Sequence, residues 1–379
     1  MLITRPPQKG SGMLAELNIQ RPGVRMRAPL AGLVGLILFH ALTVSAQEIP
    51  KPTGETIVAP GVKLERVFTR SAPIQGGLTE GPTSAPDGSI YFSDIPVGMD
   101  KGLIMRFDPK TGQTTVFVDD SRKSNGLKIG PEGLLYACEG SDYGGRALVR
   151  WNLETRERTV LAETYQGKRF NAPNDLVVDR QGRVYFSDPR YLGPEPRELE
   201  HRSVYRWEPD GKVIEVTHEV EKPNGLALSP DGMTLYLADH NNGTDRIDGD
   251  SKTPPLRGAM KIYAFPLGRD GLINGPRKTL VDFEDQAGCD GMTVDSKGHI
   301  YLTARSLKRP GVLVIDPTGQ EIAFIPTGTP NQPESTAKGL PSNVTFGAGD
   351  DRHTLYITVD VSLYRISLRV PGFSPFPRP

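Results

Sequence analysis

The sequence predicts an all-β protein: a six-bladed β-propeller of four-stranded blades, with its ring closed by an N-terminal outer strand in the last blade. Three observations carry this. Gly (42) and Pro (34) make up one residue in five of 379, which suits short strands joined by tight turns and excludes coiled coils and long helices. Val, Ile, Leu, Tyr and Phe alternate with polar residues over short runs, as in half-buried strands. One pattern also occurs six times: a polar lead residue, a short apolar strand, a turn ending in Gly, and a strand ending near an acid.

The chain opens on an address rather than a fold. Residues 1–28 carry Arg5, Lys9, Arg21, Arg25 and Arg27 against Glu16. An apolar run from Pro29 to Val44 follows, and it ends in Ser45-Ala46 before polar Gln47-Glu48. A basic start, a short apolar core and small residues before a polar junction read as a secretory signal peptide over 1–46. The run is shorter than the roughly 20 residues a spanning helix needs. The expected location is periplasmic or secreted, without stable membrane insertion once the signal is cleaved. Cys138 and Cys289 lie far apart in sequence and are expected as two free, buried thiols.

Residues 47–61 read as a linker. Residues 62–69 (VKLERVFT) form a strand with no partner among the repeats, so they are assigned to close the ring, which removes the sheet edge. The propeller then spans 62–369. Its repeats are led by Glu80, Asn125, Asn174, Asn224, Asp290 and Asn343, spaced 45, 49, 50, 66 and 53 residues apart. That is blade spacing, slightly stretched. In the first five, the turn closes on a Gly eight residues after the lead (Gly88, Gly133, Gly182, Gly232, Gly298); Asp351 takes that place in the sixth. In the fourth repeat the strands fall at 226–229, 234–238, 259–265 and 278–283, with a polar insertion over 241–255. The tail, 370–379, has four prolines and cannot continue a sheet.

In a propeller the first strand of each blade lines the central channel, so the six leads form a ring at one mouth. Two carboxylates and four amides meet there; all offer oxygen, none sulfur or imidazole. Hard oxygen donors suit Ca²⁺, less closely Mg²⁺, and do not suit Zn²⁺ or Cu. Read only as strand-start turn residues, the leads would explain Asn125, Asn224 and Asn343, but not why Glu and Asp take the same slot in two repeats. A second set of acids, Asp94, Glu139, Asp188 and Asp239, falls 14 or 15 residues after the leads. These are candidates to orient the ring residues from behind, or simply to end strands.

At these motifs the chain resembles the gluconolactonase, senescence marker protein and luciferin-regenerating enzyme family. The matching stretches are Thr79-Glu-Gly-Pro82, Phe170-Asn-Ala-Pro-Asn-Asp175, Tyr185-Phe-Ser-Asp-Pro189, Pro223-Asn-Gly-Leu226, Asp290-Gly-Met292 and Ser342-Asn-Val-Thr-Phe-Gly347. The resemblance implies a propeller with a divalent cation, usually calcium, at the channel mouth. It places the family's metal ligands on Glu80, Asn174, Asn224 and Asp290. It also marks Asp290 as the acid–base residue, and leaves Asn125 and Asn343 beside metal or substrate. Arg190, Tyr191 and His240, on loops above the mouth, are candidates to grip a substrate.

The expected activity is therefore metal-dependent hydrolysis of a sugar lactone. The alternatives are hydrolysis of another ester or phosphoester on the same scaffold, or a non-enzymatic binding propeller with a structural metal. The expected partner is a small molecule. Zero formal net charge, 45 basic against 45 acidic residues, with no basic block gives no footing for nucleic acid. No Gly-x-Ser-x-Gly elbow, His-Glu-x-x-His or Cys-x-x-Cys occurs, which excludes the triad and zinc signatures.

Overall fold

The structure is a computed structural model, and it describes residues 48–71, 77–245 and 256–376. The signal segment at 1–46 and residues 246–255 of the insertion lie outside the described residues. Six four-stranded antiparallel sheets follow one another along the chain, the first five built in sequence order from the first strand outward. Blade 1 is Leu78–Ser84, Ile90–Ile95, Leu103–Asp108 and Gln113–Val118. Blade 2 starts at Ser124–Ile129, blade 3 at Leu176–Val178, blade 4 at Pro223–Leu228, blade 5 at Cys289–Val294 and blade 6 at Pro341–Phe346. The first strands touch one another in a closed circuit, which makes them the wall of the channel. Glu65–Thr69 pairs antiparallel with Ser362–Ser367 as the outer strand of blade 6, so the ring closes as the sequence predicts.

The second strand of every blade carries a Tyr, and all six (Tyr91, Tyr136, Tyr185, Tyr236, Tyr301 and Tyr356) are buried. They lie among aliphatic and aromatic side chains, where their large apolar area stabilises the inter-blade core. Several keep the hydroxyl satisfied at the far end of the blade: Tyr301 donates to Asp295 (3.1 Å) and Tyr356 to Asp351 (2.6 Å).

Two segments outside the repeats pack onto the ring. Ile57 and Val58 are buried in the core shared by blades 5 and 6, and Thr53 bridges Phe324. The tail makes one isolated bridge, Gly372 to Asp295, and sends Phe373 and Phe376 against two different cores. Cys138 and Cys289 are free and buried.

Candidate active site

Each lead residue stands where pairing between the first and second strands is interrupted or begins. Breaks fall between Glu80 and Thr83, Ser124 and Leu127, Pro223 and Leu226, Cys289 and Met292, and Pro341 and Asn343. A bulge at that point bends the strand and re-aims its side chain, while freeing backbone groups from the ladder. A neighbouring blade takes those groups up. Gly126 N–H donates to Asn174 O (2.7 Å), Ser93 Oγ to Asn125 O (2.7 Å) and Thr303 Oγ1 to Ser342 O (2.9 Å), while the Cys138 thiol reaches Asp175 O at 3.7 Å. The three side-chain donors share one slot, two residues after the buried Tyr.

The residue after the lead is Gly in four repeats because there is no room for more. A Cβ on Gly126 would lie 2.5 Å from Asp175 Oδ1, and one on Gly225 would lie 2.2 Å from Asp290 O. Neither adopts a left-handed backbone, so these Asn-Gly pairs serve close approach between blades rather than a turn. The third repeat puts Asp175 in that slot, and this places a third carboxylate on the ring.

The result is a crowd of buried acids. Asn343 Nδ2 donates to both Glu80 Oε2 (3.1 Å) and Asp175 Oδ2 (3.2 Å), and Gly81 N–H donates to Glu80 Oε2 (2.7 Å). Burial lifts the Glu80 carboxyl well above the usual carboxylate range, and the charges of Asp290 and Asp175 lift it further. Burial also raises Asp175, against the opposing pull of Lys128. Lys128 is itself held below its ordinary value by burial, which Asp175 and Glu80 oppose. Asp290 is raised by burial; Arg305, whose Nη1 is 3.3 Å from Oδ2, and a hydrogen bond from Asn224 work against that rise.

These residues fit a hard cation. Asn125 Oδ1 is buried and receives no hydrogen bond, an acceptor left open on a ring whose three carboxylates are only partly balanced, by Lys128 and Arg305, among the described residues. Among the described residues no three His, Cys, Asp or Glu side chains converge as ready ligands. A cation here would therefore draw on amide oxygens as well as carboxylates, a donor set that suits Ca²⁺.

The loop candidates divide. Tyr191 Oη accepts from Asn224 Nδ2 (2.8 Å) and donates to His240 O (3.2 Å), so it braces the ring from above. His240 Nδ1 lies 2.8 Å from Cys289 O. A carbonyl only accepts, so Nδ1 carries the proton and Nε2 is left as an acceptor. Burial holds this imidazole down at about 4, hence neutral at pH 7. Arg190 does not meet a ring residue; it is buried among other arginines.

The outer acids also divide. Asp188 accepts from the N–H groups of Asn171 and Ala172, and Asp239 from those of Glu221 and Lys222. Both thus clamp the backbone two or three residues before a lead. Burial pushes Asp188 up to about 6 despite those bonds. Asp94 and Glu139 instead pair with Arg70 and Arg158.

Sequence reasoning passed over Asp175, Lys128 and Lys222. The first had a visible signal: an acid where four other repeats carry Gly. Lys222 is fully buried, donates to Thr244 O and Asn242 Oδ1, and stands 4.5 Å over the Tyr191 ring.

A family model described as an SMP-30/Gluconolactonase/LRE-like region matches residues 78–360. The chain is 30% identical over 336 residues to a gluconolactonase of Zymomonas mobilis, covering 82% of this chain and 85% of that protein. It is 28% identical over 294 residues to a pentonolactonase of Haloferax volcanii, covering 76% and 84%. The solved structure of a gluconolactonase from Xanthomonas campestris superposes with a TM-score of 0.66 at 28% identity, covering 85% of this chain and 95% of that one.

Proposed function

The chain belongs to the SMP-30/Gluconolactonase/LRE-like family, and on that footing we propose that it is a hydrolase of a sugar lactone or closely related ester, acting at the ring of lead residues and dependent on a divalent cation. Glu80, Asn174, Asn224 and Asp290 would hold the cation, and the oxygen donors favour Ca²⁺. When bound, it would polarise the lactone carbonyl and neutralise the negative charge that builds on it.

The chain's own residues supply the rest. Asp290 takes a proton from the attacking water and returns it to the departing ring oxygen, leaving a hydroxy acid. Burial raises its pKa towards the working pH, as a general base requires, while Arg305 and Asn224 oppose that rise. His240 Nε2 and Tyr191 Oη present polar atoms to substrate hydroxyls. Asn343, strung between Glu80 and Asp175, fixes both carboxylates.

The observation that carries this reading is the open Asn125 oxygen on a ring that also carries Glu80, Asp175 and Asp290, three carboxylates against which the described residues set only Lys128 and Arg305. The test is turnover of glucono-1,5-lactone by the mature chain, with added Ca²⁺ and after chelation. Chelation should abolish turnover. Glu80→Gln should lose Ca²⁺ binding by calorimetry, and Asp290→Asn should lower kcat by about 10²–10⁴-fold. Turnover that survives both chelation and Glu80→Gln would overturn the reading.

A further inference from the structure

Between the loops of blades 2, 3 and 4 lies a cluster of cations that the reaction above does not use. Arg190, Arg202 and Arg146 are buried, at 3, 8 and 6% exposure, and Arg197 joins them. One carboxylate serves three of the four: Asp245 Oδ1 lies 3.4 Å from Arg190 Nε, and its Oδ2 lies 3.2 Å from Arg197 Nη1 and 3.8 Å from Arg202 Nη2. The other acids nearby accept their hydrogen bonds from backbone N–H groups, although Glu195 Oε2 also lies 3.9 Å from Arg190 Nη2. Glu195 accepts from the N–H groups of Asp142 and Tyr143, and Asp188 from those of Asn171 and Ala172. Arg146 spends its Nε on Phe170 O, and Arg190 one Nη on Gly193 O.

What remains is an acceptor deficit. Arg146 Nη2, Arg190 Nε, Arg190 Nη1, Arg197 Nη2 and Arg202 Nε are all buried without a hydrogen-bond partner. Five such donors are costly, because a buried guanidinium N–H forfeits its solvation unless an acceptor replaces water. The charge is unbalanced in the same sense: among the described residues, with Lys222 alongside, five cations face Asp188, Glu195 and Asp245. A carboxylate is already present, and its two oxygens leave these donors open. A tetrahedral oxyanion brings more acceptors and up to two charges, and arginine forks match it.

We propose that this arginine cluster is a binding site for a phosphate group, set beside the channel mouth. The chain leads from one to the other: Arg190 precedes Tyr191, whose hydroxyl meets Asn224 of the ring, and Lys222 sits two residues before Asn224. The phosphate has two possible sources. It is either free inorganic phosphate acting as an effector, or a phosphate ester on the sugar lactone; the second source rests on the lactonase reading, whereas the site itself does not.

The first measurement is calorimetry of the metal-loaded mature chain against inorganic phosphate. One phosphate per chain is expected, with affinity at least tenfold weaker in Arg202→Gln and in Arg146→Gln. Both variants are to be confirmed as folded by a cooperative melt. The second is KM for a phosphorylated sugar lactone against its unphosphorylated counterpart. A KM at least tenfold lower, lost in Arg202→Gln, identifies substrate phosphate. Saturable phosphate binding with equal KM values identifies a free effector. No phosphate binding by the unaltered, folded chain, together with equal KM values, overturns the proposal. Because the calorimetry needs no turnover, failure of the lactonase reading alone would leave phosphate binding intact.

Discussion

The two ends of each blade's inner strands use the same residue types to opposite effect. At the turn end, acids are absorbed by their own backbone. Asp179 accepts from the N–H groups of Gln181 and Arg183 and pairs with Arg183 Nε. Asp295 accepts from Lys297 and His299 N–H and from the Tyr301 hydroxyl. Hydrogen bonds from Ser229 and from Met233 N–H hold Asp231 below the usual carboxylate value; at Asp87, burial is outweighed by Arg106 and Ser89. At the mouth end, Glu80, Asp175 and Asp290 are all raised, burial being the leading cause in each. Local partners favour the ionised form of Asp87 and Asp231, and the hydrogen bonds of the turn acids stabilise the fold. Mouth acids are ionised at a cost that a bound cation would offset. On the function proposed above, their placement serves the site at the expense of stability.

Three experiments test this contrast. The largest effect is expected at the turn end. Asp295→Ala removes two turn bonds and strands the buried Tyr301 hydroxyl, so unfolding free energy should fall by about 2–3 kcal/mol. A shift in the denaturant midpoint at unchanged slope measures it. A loss under about 0.5 kcal/mol would show that the turn acids do not anchor the blade as argued.

The mouth should respond in the other direction. Asp175→Asn removes a buried charge and keeps the side-chain size. The metal-free protein should gain about 1.4 kcal/mol for each pKa unit of elevation relieved. Ca²⁺ binding by the same variant should weaken. A metal-free melt that drops instead would mean Asp175 is held by Lys128 and Asn343 as a net stabilising pair, like the turn acids.

The smallest effect is the pH profile of the chelated protein. Glu80, Asp175 and Asp290 have folded-state values above their unfolded ones. Their contribution is complete below the unfolded value of about 4 and is lost as pH rises through the folded value. Asp87 and Asp231 act in reverse: their contribution is present above the unfolded value and lost as pH falls through the depressed folded one. Melting temperature should therefore decline from mildly acidic towards neutral pH under chelation, and saturating Ca²⁺ should flatten that decline. Identical profiles with and without Ca²⁺ would remove the cation from the mouth.

The architecture was legible because it is periodic. A polar lead, a turn-closing Gly and an alternating strand recur often enough for the blade count, the strand order and even the closing role of residues 62–69 to follow from spacing alone. The leads were legible too, since Glu80 and Asp290 break a run of Asn. Tertiary structure decided whatever depends on neighbours from another repeat. Gly126 and Gly225 look like turn residues in one dimension, yet they are fixed by contact with the next blade. Asp175 reads as the partner of Asn174 in a dipeptide, but becomes a third mouth acid because Asn343 reaches it across 168 positions. Arg146, Arg190, Arg197 and Arg202 are ordinary basic residues along two loops, and only folding gathers them, three around one Asp245, with donors left over. The physical reason is common to all three. Local hydrogen bonding and hydrophobic periodicity are properties of short segments, whereas burial and charge balance are properties of the space that distant segments enclose.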